Sequence, residues 1–117
     1  MNINPLIERA FTGFTVDGIN IPIAYQLYEG NRTAFLTYYT RVERPEEFAD
    51  DIPIFEGTYG TINIYSKGDF KNLLREVKRI LKKNGFTVTD SGPEDFEEDT
   101  GFYHVPVNFY FESEVDY

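Results

Sequence analysis

The sequence predicts an α+β fold: a mostly antiparallel sheet of about five strands, with a short N-terminal helix and one longer amphipathic helix packed on one face. Three observations predict it. Several stretches alternate apolar and polar residues with the period of a strand, the clearest being "FYHVPVNFYFE" near the C-terminus. One stretch, "FKNLLREVKRILKK", instead spaces its apolar residues by three and four, the period of a helix. Nine Tyr and eleven Phe in 117 residues favour β-structure and supply amphipathic contact surface.

In chain order, Asn4 reads as an N-cap and Pro5 as the first helical residue, with Leu6, Ile7, Ala10 and Phe11 on one face before Gly13 ends the helix. Residues 18–29 read as a first strand with Ile19, Ile21, Ile23, Tyr25 and Leu27 on one side. Pro22 gives it an edge position or an irregular start. "EGNR" is a turn, and residues 35–43 are the second strand. Residues 44–53, acidic and holding two prolines, read as a loop, and a third strand runs from about 55 to 65. Ser66 and Asp69 fit a capping box. The helix that follows buries Phe70, Leu73, Leu74, Val77, Ile80 and Leu81, and stops at Asn84-Gly85 with Lys82 and Lys83 in its last turn. "FTVT" is a short strand, and residues 90–101 form an acidic, turn-rich connection. The last strand puts Tyr103, Val105, Val107, Phe109 and Phe111 on one face. No repeat or linker interrupts the order, so residues 1–117 read as a single domain.

Composition narrows the function. The absence of Cys excludes disulfides and thiolate metal sites. The start, "MNINPLIERA", lacks the basic region and apolar core of a signal peptide, and no apolar run approaches the ~18 residues of a membrane span. A cytosolic product is the expectation. A net charge of −9 argues against general nucleic-acid binding, because phosphates would meet a repulsive field.

Catalytic patterns are wanting. The one histidine, His104, falls on the strand face opposite the apolar set, with no nucleophile or orienting partner legible beside it. It reads as a partly exposed strand residue. Ser66, Ser91 and Ser113 lie at turns or element ends, none in a G-x-S-x-G elbow. "EGTYG" lacks the Gly-Lys-Ser/Thr of a phosphate loop. Glu94, Asp95, Glu97, Glu98 and Asp99 suggest calcium, but the spacing fails the EF-hand pattern: Gly92 and Glu94 occupy ligand positions and no glycine follows at the sharp turn. No enzyme, cofactor or metal is expected.

The distribution of charge says more. Residues 67–83 hold seven of the eleven basic residues and only two of the twenty acidic ones. That segment is +5; the remainder, with four basic and eighteen acidic residues, is −14. Advancing about 100° per residue from Phe70, the apolar residues span about −80° to +40°, and Lys71, Arg75, Lys78 and Lys82 fall between about 80° and 140°. The stripe contains no acid. Two explanations fit it: lysine stems covering the core edge with their heads in water, or a surface awaiting negative charge, since the stripe omits the Glu–Lys spacing that solvent faces use. The acidic run 94–99 is either a solvated loop or the complement of that stripe, within one chain or between two.

The motifs resemble a known group. The strand ending "NIYSKGD", the "LL..V..IL...GF" helix, the "GPE...EEDTG.YH" connection and the closing aromatic strand are similar to the small tail proteins of long-tailed bacteriophages and prophages, in the tail-terminator and tail-completion group. The resemblance covers roughly residues 35–112. It implies an α+β subunit of a ring, commonly hexameric, at the head-proximal end of the tail tube. Such a ring ends tube polymerisation and docks the tail to head or neck proteins. Its partners would be other copies of itself, the tail tube protein and the head–tail connector, with DNA only passing through the lumen and no membrane. Its location would be the virion tail or neck, after assembly in the host bacterial cytoplasm. The group has no catalytic residues to carry over. The candidate subunit interface is our own inference: Lys71, Arg75, Lys78 and Lys82 against Glu94, Asp95, Glu97, Glu98 and Asp99. A head–tail adaptor or stopper is the alternative within this class; a small acidic binding module for a basic protein or a metal is the alternative outside it.

Overall fold

A computed structural model describes residues 2–43 and 54–115. Helix α1 (Asn4–Ala10) carries Pro5 in its first turn, and its first apolar turn is anchored by Ile7, which is fully buried. The cap differs from expectation. Asn4 lies inside the helix, and its N–H donates to Asn2 Oδ1 at 3.0 Å. The Asn4 side chain instead accepts from Thr40 Oγ1 at 2.7 Å, tying the helix to the sheet.

Residues 18–29 do not form one strand. β1 (Thr15–Val16) and β2 (Ile19–Asn20) make a separate hairpin across Asp17-Gly18, both at positive φ (53° and 79°). That is the turn that matches strand twist, and Asp-Gly is its strongest local signal. After Pro22 comes β3 (Ile23–Tyr25), the edge strand of the main sheet, as the proline suggested. Of the five apolar residues expected on one side, only Ile21 is buried; Ile19, Tyr25 and Leu27 are exposed. Two breaks in the strand move them to different surfaces: the residues between β2 and β3, and the positive φ of Gln26.

Among the described residues the main sheet has six strands. β4 (Ala34–Glu43), β5 (Ile54–Ser66) and β8 (Phe102–Val115) are long and antiparallel, with β5 central. β3 pairs in parallel with β4. β6 (Thr87–Ser91) and β7 (Asp95–Glu97) pair with successive parts of the far side of β8. Among the described residues, eight strands in two sheets therefore replace the expected five, because the three shortest pairings, β1–β2, β3 and β7, are two or three residues per strand. Such lengths leave no periodicity to read. The loop expected over residues 44–53 lies outside the described residues.

α2 (Lys71–Lys83) follows β5. The capping box is not formed. Ser66 Oγ accepts from Gly68 N–H (3.2 Å), and Asp69 Oδ1 accepts from Lys71 N–H (3.0 Å), so the acid takes the first helical N–H from the position before the N-cap, Phe70, and the serine shapes the turn ahead of it. The C-terminus closes as a Schellman motif: Phe86 N–H reaches Leu81 O (3.0 Å) and Gly85 N–H reaches Lys82 O (3.2 Å). Phe86 and Leu81 are both buried, the apolar contact that accompanies this motif.

The sheet has two unlike faces. On the inner face the register stacks Leu36–Ile64–Val105 and Tyr38–Ile62–Val107 across three strands. These residues are fully buried with Ile3, Ile7 and Phe11 near the N-terminus and Leu73, Val77 and Leu81 of α2, in one cluster. On the outer face the corresponding rows are Phe35–Tyr65–His104, Tyr39–Thr61–Asn108 and Arg41–Tyr59–Tyr110.

Candidate subunit interface

The helix phase read from sequence holds. Leu73, Val77 and Leu81 are buried, Phe70, Leu74 and Ile80 pack partly against the core, and the basic stripe runs along the edge of that apolar face. Lys71, Arg75 and Lys82 are exposed and Lys78 is half-buried. With Leu74 and Arg79 they line an open groove of about 490 Å³ that contains five cations and no acid. Arg79 was not in the stripe derived from the helical wheel. It sits farther round the helix, and only the reach of a guanidinium brings it to the groove.

Local polar contacts leave the stripe unneutralised. Arg75 Nη2 donates to Asn72 Oδ1 at 2.6 Å, and Asn72 Nδ2 donates in turn to Asp17 Oδ2 at 3.2 Å. The ion pair on this helix is Arg79–Glu76, at 2.6 Å, one turn apart on an open surface, where such pairs contribute about 0–1 kcal/mol. Among the described residues no carboxylate lies within ion-pair distance of Lys71, Arg75, Lys78 or Lys82.

The acidic segment is a strand and a turn rather than a plain connection. Glu94 leads into β7, and Gly101 N–H donates to Glu97 O at 2.8 Å, closing the turn that carries Glu98 and Asp99. All five carboxylate residues are exposed, and among the described residues none is paired with a lysine or arginine. The pairing of β7 with β8 decides where they point. Phe96 lies opposite Tyr103 on the inner side, where Tyr103 also meets Phe70 before α2 (ring centroids 4.8 and 5.6 Å). Asp95 and Glu97 lie opposite His104 and Phe102, on the outer face. The basic groove and these two carboxylates therefore occupy opposite sides of the sheet. Pairing within one chain, open on sequence grounds, is not what the molecule does.

Glu97 is felt on that outer face. Burial, and after it the negative charge of Glu97, push the Tyr65 hydroxyl pKa above its ordinary value, with a Thr37 hydrogen bond acting the other way. His104 stacks on the Tyr65 ring (4.7 Å, 5°), and its Nε2 lies 2.8 Å from Asn63 Oδ1. The stack continues through Phe35 to Tyr28. These contacts hold the imidazole as a packed, half-buried strand residue, in keeping with the sequence. Among the described residues no group of three His, Asp or Glu side chains is placed to hold a metal ion, and no helix is long and apolar enough to cross a membrane.

Chemically, the chain presents a cationic groove with an apolar floor at Leu74 on one side, and an exposed acidic hairpin whose Asp95 and Glu97 face the other. Compared with known proteins, it matches no family model and no curated sequence.

Proposed function

We propose that this chain is a virion structural protein of a long-tailed phage or prophage: one subunit of a ring at the head-proximal end of the tail tube, which ends tube growth and docks the tail to the head or neck. The motif resemblance over residues 35–112 supplies the location in the particle. One observation carries the assembly: the stripe Lys71, Arg75, Lys78 and Lys82 and the acidic residues 94–99 have no ion-pair partner among the described residues, and Asp95 and Glu97 lie on the side of the sheet away from the basic groove. A contact between two different patches is heterologous, and it generates a closed ring when its rotation closes. The stripe of one copy meets residues 94–99 of the next, six times in the hexamer the resemblance implies. The tail tube and the connector bind the ring's two ends, DNA passes through its lumen, and the protein performs no catalysis.

Native mass and negative-stain images of the purified protein test this. The wild type should give rings. Arg75→Glu with Lys78→Glu should give folded monomers, and so should Glu97→Lys with Glu98→Lys. The quadruple variant should recover rings, because every contact then carries the swapped pair. An equimolar mixture of the two double variants should recover them as well, since an even ring of alternating copies places opposite charges at each contact. Rings indifferent to both reversals would overturn the interface, and a wild type that stays monomeric alone and beside its tail tube would overturn the function.

A further inference from the structure

The outer face of the sheet carries a second concavity, unrelated to the charged patches. Tyr39, Thr61, Asn108 and Asp90 stand in one row across four strands, and Tyr59 stands in the next row beside Tyr110. Thr61 and Asn108 are short, and the neighbouring Tyr39, Arg41 and Tyr59 are long, so the middle of the face sinks into a groove of about 340 Å³. A bulge in β6 deepens its chemistry. The register shifts between Val88 and Asp90, leaving Thr89 as the extra residue, and both Thr89 and Asp90 line the groove. Bulges re-aim side chains in this way beside binding sites.

We infer that this groove binds a neutral pyranose ring. Tyr39 and Tyr59 are 47 % and 41 % exposed, so each ring stays accessible at the groove, although Tyr59 also packs against Tyr110. An aromatic face carries negative charge density, which suits the C–H groups on one side of a sugar. Between the rings lie side chains that both donate and accept. Thr61 Oγ1 donates to Asn108 Oδ1 at 2.6 Å, a bond that leaves the Asn108 amide N–H groups pointing elsewhere. Thr89 donates to Asp90 Oδ1 at 3.2 Å, and the second carboxylate oxygen stays an acceptor. Hydroxyls, which donate and accept together, are the groups such a set matches. Arg41 and Asp90 contribute one charge of each sign, so the lining favours neither an anion nor a cation. Asp95, Glu97 and Glu112 on the same face disfavour phosphate-bearing ligands. The volume is at the small end of ligand sites, ~300–1,000 Å³, enough for one or two sugar rings. This inference does not depend on the ring reading above.

The test is a ¹⁵N-edited NMR titration of the full chain with methyl glucoside, methyl galactoside, methyl mannoside, N-acetylglucosamine, a linear trisaccharide and, as a phosphate probe, AMP. At least one sugar should move the amides of Thr61, Thr89 and Asn108 saturably, with a dissociation constant in the millimolar range. Tyr59→Ala and Asp90→Asn should each weaken it by ~10-fold, the loss of one good contact. Tyr59→Phe should retain it, because the ring face remains. Tighter binding of the trisaccharide identifies the ligand as part of a glycan, equal binding identifies a free sugar, and either sustains the site. No saturable shift with any sugar, shifts that survive both weakening variants, or tighter binding of AMP than of every sugar would each overturn it.

Discussion

The two faces of the central sheet are built from alternate residues of the same strands, yet they do different work. In β5, Ile62 and Ile64 point inward and are wholly buried, whereas Tyr59 on the opposite side is 41 % exposed. The inner rows are mostly aliphatic, with Tyr38 and Phe109 among them, and share one buried cluster with both helices; the outer rows are aromatic and polar, and among the described residues no helix lies over them. The difference teaches where stability is concentrated. Burial of apolar area drives folding, and only the inner face combines full burial with apolar side chains. The outer face is left available for contacts with other molecules, and the charged groups of β7 and the tyrosine groove are both found there.

Five single substitutions test that contrast. Ile64→Ala removes a fully buried side chain and should destabilise the protein by ~2–5 kcal/mol, measured by urea unfolding. Tyr59→Ala, one face away, should cost about 1 kcal/mol, the value of its aromatic pair with Tyr110. Equal costs would mean that the outer face is structural.

Gly60→Ala probes the inner face from the opposite direction. An added Cβ there would run into the Phe109 ring and stand 2.7 Å from the Tyr39 carbonyl oxygen. Overpacking of this kind should cost ~1–3 kcal/mol. The same measurement on Gly60→Ala with Phe109→Leu should show part of the loss recovered, if the ring is what the methyl meets.

Tyr38 is a buried hydroxyl of the inner face, as Thr58 and Ser66 of β5 are. Burial first, then the hydrogen bond and charge of Glu8, then Tyr25, hold its hydroxyl pKa well above the ordinary 10.0. The folded state thus resists ionisation more than the unfolded chain does. Its contribution is whole below pH 10 and is lost as pH rises beyond it. Tyr38→Phe should cost about 1 kcal/mol at neutral pH through the lost hydrogen bond. Its stability should also fall less steeply above pH 10, leaving the slope due to Tyr65, which is raised in the same sense. An unchanged alkaline slope would show that the Tyr38 hydroxyl ionises freely in the fold.

The smallest effect belongs to the stripe. Lys78→Ala should change monomer stability by less than ~0.5 kcal/mol, because its head group has no ion-pair partner among the described residues. A larger loss would make the lysine stem part of the core edge.

Much of this was legible from the chain alone, unevenly. Long elements announced themselves: α2 through six apolar residues at helical spacing, and β4, β5 and β8 through alternation over ten or more residues. Short ones did not. Asp17-Gly18 was a readable hairpin signal, hidden inside an apparently continuous alternation of isoleucines. β7 was masked by its charge: Asp95 and Glu97 are poor strand formers, and they are held there by pairing with β8 rather than by propensity. At the candidate interface, the four stripe residues were found by phase, but Arg79 was missed because a wheel records angle and not reach.

The sequence by itself determined the helix phase, the side of α2 that carries positive charge, and the inward face of β8 with Val105, Val107 and Phe109. These are periodic properties, encoded in residues a few positions apart. Tertiary structure alone decided that β8 lies beside β5, that β6 and β7 share its far side, and therefore that Asp95 and Glu97 face away from the basic helix. It also assembled Tyr39, Thr61, Asn108 and Asp90 into one row from four separated segments. Strand partners and register are set by the sum of long-range contacts that bury one face. A one-residue slip would turn every side chain of a strand to the other side, so no local stretch of sequence contains the answer.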